Sequence, residues 1–232
     1  MNLSGKVLVV TGSDGALGQA VGATLARYGA RLALVAHRPA PSTAPASASG
    51  TLHFGGIDLS QPAAARSVME GVLKQAGRLD GLINVAGGFR FEKVAGGLLE
   101  TWDSMYALNL KTTVVACQAA LPHLLKAAAG RIVNVGAMGA VKAAGGMGAY
   151  AASKAGVAKL TEALADELKD TGITVNAILP SILDTPRNRL DMPAADFTRW
   201  VTPAAAAEVI AFLVSDEARA VTGALIPVAG RV

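Results

Sequence analysis

The chain has 232 residues, 52% hydrophobic and only 4% aromatic, with a formal net charge of +4 and a mean hydropathy of +0.41. Its length suits one α/β unit with a core of closely packed Ala, Val, Leu and Ile, and its dispersed Lys and Arg, without basic runs or interleaved aromatics, argue against a nucleic-acid partner. The uncharged apolar stretch at residues 112–125 is too short to span a bilayer and carries Gln118, Pro122 and His123, and the first residues lack the features of a signal peptide, so the expectation is a cytoplasmic protein with no membrane partner.

A strand is expected over residues 6–10 (KVLVV), running into TGSDGALG at 11–18, which opens a helix over 16–28. Glycines at such a turn let the backbone approach a pyrophosphate, and the free N–H groups at the helix start stabilise its charge. The same residues would also serve an ordinary tight turn between strand and helix. A second strand is expected over 31–36, ending in Ala36, His37 and Arg38 without an acid. The following HRPAPSTAPASASG reads as an irregular surface loop, because proline and small polar residues break any helix. Next come a strand over 51–54, the segment GIDLS with Asp58, a helix over 62–76 and a strand over 81–86.

A long helix is expected over 98–127. It contains the single cysteine, Cys117, which reads as core and leaves no partner for an internal disulfide. His37, His53 and His123 are widely spaced, so no metal site is expected. Strands follow over 131–135, 174–179 and 225–229, with helices over 149–170 and 203–215. Thr202 before Pro203 reads as an N-cap with proline in the first helical position. Strand and helix alternating in this way imply a Rossmann-type α/β fold: a doubly wound parallel sheet of about seven strands between two helical layers. One domain over 1–232 is expected, with a substrate lid at about 181–202.

The motifs extend the reading. TGSDGALG, NVAG at 84–87, Asn109, YAASK at 150–154 and LPSILDT at 179–185 together resemble the short-chain dehydrogenase/reductase family over essentially the whole chain. The resemblance implies an NAD(P)-dependent oxidoreductase whose catalytic residues are Tyr150, Lys154 and Asn109, the last supporting a water that relays protons to Lys154. It implies a cofactor site formed by Gly12, Ser13, Asp14, Ala16, Leu17, Gly18, His37, Arg38, Asp58, Leu59, Val85, Ala86, Gly87, Tyr150, Lys154, Pro180, Leu183 and Thr185. It also implies a homodimer or homotetramer built on the helices over 98–127 and 149–170. Tyr150 and Lys154, four residues apart, share a helix face, so the ammonium is expected to stabilise the phenolate and depress the tyrosine pKa from its usual value near 10. Asp58 reads equally as an adenine contact or as an acid near the start of the next helix.

Several positions depart from the family pattern. Ala137 stands where a substrate-orienting serine is usual, and a donor of that kind is commonly worth about 10²–10³ in rate. Backbone N–H groups around 137–139, or Ser181, are candidate replacements. Ala16 replaces the middle glycine of the turn, with Gly15 beside it as a source of flexibility, and Ser181 replaces the glycine after Pro180. Locally, AGG at 86–88, the Gly136–Ala137 pair and GMGAY at 146–150 resemble the dihydropteridine reductase branch, which lacks the serine and reduces an activated quinonoid substrate. Substrate contacts are expected at Ala137, Met138 and Trp200, although Trp102 and Trp200 would serve equally as core. Arg38 and the missing carboxylate after the second strand favour NADPH over NADH, while Gly15 and Asp14 weigh against that preference. A small-molecule reductase is thus the expectation, and a catalytically weak NAD(P)-binding regulator or scaffold is the alternative.

Overall fold

The short apolar runs form seven strands that pair in parallel throughout, in the order β3-β2-β1-β4-β5-β6-β7. A computed structural model describes residues 1–39, 50–127 and 129–232. The strands are β1 (Val7–Thr11), β2 (Arg31–Val35), β3 (Leu52–Phe54), β4 (Gly81–Asn84), β5 (Arg131–Val135), β6 (Thr174–Pro180) and β7 (Leu225–Val228). The helices between them are α1 (Ala16–Arg27), α2 (Pro62–Ala76), α3 (Leu99–Met105), α4 (Thr112–Leu124), α5 (Gly148–Glu167), α6 (Pro186–Asp191) and α7 (Pro203–Val214). Most of the loop expected between the second and third strands, residues 40–49, lies outside the described residues.

Alternation along each strand divides the core between two sheet faces. Val7, Val9, Ala33, Val35, Leu82 and Ile132 join one buried cluster with residues of α2, α4 and α5. Leu8, Val10, Leu32, Ile83 and Val133 join the other with residues of α1 and α7. The sheet therefore has a helical layer on each face. None of the helices among the described residues is long and apolar enough to cross a membrane.

Strand order reverses at β1, which pairs with β2 on one side and β4 on the other. In open α/β sheets the crevice beyond the carboxyl ends of two such strands is where ligands bind. The opposite end of the sheet is closed by polar anchors. The Asp80 carboxylate accepts from the Val7 N–H at 2.8 Å and from both ends of the Arg78 guanidinium at 2.6 and 2.8 Å.

The expected helix over 98–127 is interrupted. Between α3 and α4, residues Tyr106–Lys111 form a π-helical segment, a wider turn that often marks functional sites. The lid region contains α6, which was not expected. Pro186 occupies its first turn and the Thr185 hydroxyl accepts from the Asn188 N–H. At α7 the expected cap forms, with the Thr202 hydroxyl accepting from the Ala205 N–H at 3.2 Å.

Replacing Asp80 with alanine would leave the buried Val7 N–H without an acceptor. Asp80→Ala is expected to lower the unfolding free energy by about 2 kcal/mol, measured by urea denaturation against the parent chain.

Candidate active site

The glycine turn is held by close backbone contact. Gly12 has a φ of +62°, and a Cβ on it would lie 2.7 Å from the Ala86 backbone. A Cβ on Gly18 would come within 2.1 Å of the Gly12 carbonyl oxygen. Gly15 has an ordinary extended backbone, φ −80° and ψ 163°, so Gly12 and Gly18 provide the permissiveness for which Gly15 was the candidate. Ala16 simply begins α1. No side chain caps α1, so its first N–H groups face the crevice, a donor set and dipole that suit a pyrophosphate. Leu17 and Gly18 are buried in its first turn, and the Ser13 N–H donates to the Val35 carbonyl at 3.1 Å.

Further round the crevice, the Arg38 Nε donates to the Asp14 carboxylate at 2.6 Å, with His37 exposed beside it. Asp58 accepts from the Ser60 N–H at 2.9 Å, and this bond together with the Ser60 hydroxyl holds its carboxyl below the usual range. Asp58 therefore closes a local turn ahead of α2, next to the buried Leu59. Across the crevice, Val85 and Ala86 donate their N–H groups to the Thr11 hydroxyl, each at 3.1 Å.

The π-helical segment buries the Asn109 side chain completely. Its amide accepts from the Gly88 N–H at 2.9 Å and donates to the Gly88 carbonyl at 3.1 Å and to the Ser153 hydroxyl at 2.9 Å. The Ser153 hydroxyl donates in turn to the Tyr150 carbonyl at 2.7 Å. A Cβ on Gly87 would lie 2.6 Å from the Asn109 Oδ1 and 3.3 Å from the Lys154 Nζ, so Asn109, Gly87 and Lys154 meet at one point. Gly88 and Ser153 were not anticipated, although both lie inside motifs that were noted, AGG and YAASK.

Lys154 is buried and donates to the Val135 carbonyl at 2.8 Å. Burial pushes its pKa down to about 8 and pushes the Tyr150 phenol up to about 12. The expected depression of the tyrosine is thus overturned: the ammonium is bonded to the end of β5, and loss of hydration governs both groups. Tyr150 packs T-shaped against Phe89, with ring centroids 5.0 Å apart and planes at 82°. Phe89 is 55% exposed and was not anticipated, because a lone aromatic in a loop carries no spacing signal.

Ala137 is buried at the end of β5 and Met138 starts a short 3₁₀ turn beside it. Ser181 does not replace the missing serine. Its hydroxyl donates to the Ala229 carbonyl at 2.6 Å and its N–H to the Val228 carbonyl at 3.0 Å, committing it to the end of β7. Pro180 ends β6, Leu183 bridges to Val201, and Thr185 caps α6. Trp200 is 7% exposed and tilted against Phe197 at 4.7 Å, which is the packing alternative rather than a pocket wall. Cys117 is core as expected, its thiol pushed up to about 12 by burial.

A family profile described as short chain dehydrogenase matches residues 6–194. The chain is 33% identical over 235 residues to a D-threitol dehydrogenase of Mycolicibacterium smegmatis, covering 96% of this chain and 90% of that protein. It is 32% identical over 240 residues to the 3-oxoacyl-[acyl-carrier-protein] reductase of Escherichia coli, covering 99% and 98% respectively. Its fold matches the ligand-free aldohexose dehydrogenase of Thermoplasma acidophilum with a TM-score of 0.87 and 23% identity, covering 98% of this chain and 94% of that one. A short-chain type dehydrogenase/reductase from Mycobacterium ulcerans matches with a TM-score of 0.90 and 24% identity, covering 100% and 90%.

Burial of Lys154 has a pH signature. Its folded pKa of about 8 lies below the ordinary 10.5, so between these values the unfolded chain binds more protons and stability rises with pH. Relative to Lys154→Met, the parent chain is expected to gain up to about 3 kcal/mol between pH 7.5 and 10. Urea unfolding of both proteins at the two pH values tests this.

Proposed function

The chain belongs to the short-chain dehydrogenase family and is an oxidoreductase, and from that premise we propose that it is an NADPH-dependent reductase of an activated C=O or C=N group in a planar small molecule, such as a dihydropteridine, a quinone or a dicarbonyl. The observation that carries this reading is the Tyr150 phenol, kept protonated by burial on a helix whose main chain at Tyr150 is tied through Ser153 to Asn109, together with an Ala137 that offers no hydroxyl. The uncapped start of α1 and the Gly12–Gly18 contact fit a dinucleotide pyrophosphate, and Arg38 offers a cation for a 2′-phosphate. Reduced nicotinamide, when bound, supplies the hydride.

The protein's own residues manage the proton. Tyr150 donates its phenolic proton to the oxygen or nitrogen of the acceptor as the neighbouring carbon is reduced. Lys154, one helical turn further on, carries the charge that offsets the phenolate left behind. Asn109 and Ser153 hold the loop at Gly88 and the start of α5 in a fixed relation. The segment at 181–202, stapled by main-chain bonds between Ile182, Asp184 and Val201, serves as the substrate lid within a single domain.

The side chains beside Tyr150 give the substrate its character. A Cβ on Gly139 would meet the Met147 side chain at 3.2 Å and the Tyr150 ring at 3.8 Å, so Met147 and Tyr150 both flank Gly139, and Phe89 packs against the Tyr150 ring. Apolar and aromatic neighbours of this kind suit a flat conjugated acceptor. An acceptor activated toward hydride also needs less polarisation than an ordinary ketone, in keeping with Ala137. The exposed Leu98, Leu99 and Tyr106 on and beside α3 support a homodimer or homotetramer. The regulator reading rests on Ala137 alone, and the retention of Asn109, Tyr150 and Lys154 together weighs against it.

NADPH oxidation is to be followed with quinonoid dihydropterin, quinones and dicarbonyls as acceptors. Turnover with at least one of them is expected, and Tyr150→Phe is expected to reduce it by about 10² or more. Tight NADPH binding without turnover of any acceptor would shift the reading to the regulator. Ala137→Ser is expected to raise kcat for unactivated ketones by about tenfold or more, with little change for the activated acceptor.

A further inference from the structure

We propose that Asp14 is a cofactor-discriminating residue: by holding Arg38 in an ion pair it opposes recognition of a 2′-phosphate and narrows the protein's preference for NADPH over NADH. The inference rests on the oxidoreductase reading above and concerns which nucleotide that site selects.

Both members of the pair stand on fixed backbone. Asp14 lies in the turn between β1 and α1, where the preceding Ser13 N–H is bonded to Val35 and the Gln19 side chain donates to the Asp14 carbonyl at 3.1 Å. Arg38 lies just beyond β2, and its carbonyl accepts from the Gly56 N–H at 3.0 Å. Because β1 and β2 are neighbours, the two side chains meet across the mouth of the crevice. The Arg38 Nε reaches the Asp14 carboxylate at 2.6 Å and its Nη2 reaches the Asp14 carbonyl at 3.5 Å. The guanidinium remains 75% exposed and the carboxylate 32%, so the pair faces the solvent from which a nucleotide arrives.

The consequence follows from charge. A 2′-phosphate that engages Arg38 must take the guanidinium from Asp14 or share it, and it brings a second anion close to the carboxylate. A ribose hydroxyl meets no such opposition, and a carboxylate can accept a hydrogen bond from it. The other nearby acid, Asp58, is already occupied by Ser60. Asp14 is therefore the acid on the glycine turn that acts against the cation beyond β2, and an exposed pair of this kind shifts affinities by a few-fold rather than by orders of magnitude.

Calorimetric titration of the full chain with adenosine 2′,5′-bisphosphate and with 5′-AMP reads this discrimination without turnover. Asp14→Asn, nearly isosteric, is expected to tighten the bisphosphate about three- to tenfold at low salt while changing 5′-AMP by less than about twofold, and the gain is expected to shrink at about 0.5 M salt. Arg38→Ala is expected to bring the two fragments to similar affinity. The proposal is overturned if Asp14→Asn weakens the bisphosphate or leaves it unchanged, since Asp14 would then orient Arg38 rather than oppose the phosphate. It is equally overturned if both fragments change alike, which would report a disturbed turn. Wild-type protein that binds neither fragment, and neither NADH nor NADPH, would overturn the oxidoreductase reading and this inference with it.

Discussion

The site depends on one close approach, the meeting of the carboxyl ends of β1 and β4. The Thr11 hydroxyl accepts from two consecutive N–H groups, those of Val85 and Ala86, and Gly12 packs against Ala86 where a Cβ would collide. Thr11 and Asn84 are partners in the strand register, so these contacts continue the sheet past its last ladder bonds. They fix the glycine turn on one side of the crevice and residues 85–88 on the other. Everything that faces the crevice is referred to these two segments: α1 begins on the first, and Asn109 is bonded to Gly88 on the second.

A second polar chain carries that order into α5. The Asn84 amide donates to Asn134, its register partner on β5, at 2.9 Å, and Asn134 donates to the Thr161 hydroxyl on α5 at 2.9 Å. One residue beyond Asn134, the Val135 carbonyl receives the Lys154 ammonium. The helix that presents Tyr150 and Lys154 is thus tied to the sheet by specific hydrogen bonds as well as by apolar packing. This arrangement costs stability. Lys154 is charged in a site that favours its neutral form, and the Asn84 Oδ1 is buried without a partner among the described residues. Buried polar groups that lower stability are characteristic of functional sites, and here they lie along the chain of contacts that ties α5 to the sheet.

What could be read from the sequence depended on the kind of signal each feature leaves. Strands such as 131–135 and 174–179 were legible because parallel sheets bury both faces and write continuous apolar runs. Thr202–Pro203 was legible because capping is local chemistry. The π-helical segment was not, since Tyr106–Lys111 has the composition of an ordinary helix, and only packing of Asn109 against Gly88 and Ser153 shows why the turn widens. α6 was hidden in a polar, proline-containing stretch whose helix is set by the Thr185 cap. For Tyr150 and Lys154 the spacing identified the pair, but not its environment: sequence separation says which groups are neighbours, whereas the direction of a pKa shift depends on how much water the fold removes. Ser181 shows the same limit, because the Ala229 carbonyl that occupies its hydroxyl lies 48 residues away.

On the proposed reading, the absence of a serine at 137 and the aromatic packing of Tyr150 belong together. A hydroxyl donor beside the reacting oxygen both polarises it and fixes its direction. With Ala137 in that place, the proposed acceptor takes its direction from shape, to which Phe89, T-shaped against the tyrosine ring, and Met147, close with Tyr150 to Gly139, contribute. Shape selects flat, rigid acceptors more effectively than flexible ones, because a rigid ring loses little entropy when it is clamped. On the proposed reading, polarisation comes from the substrate itself, as a quinonoid or dicarbonyl system provides it. A tyrosine held protonated by burial suits the proposed reduction, since an acceptor already inclined to take hydride needs a proton donor that is reliably present rather than one poised to lose its proton.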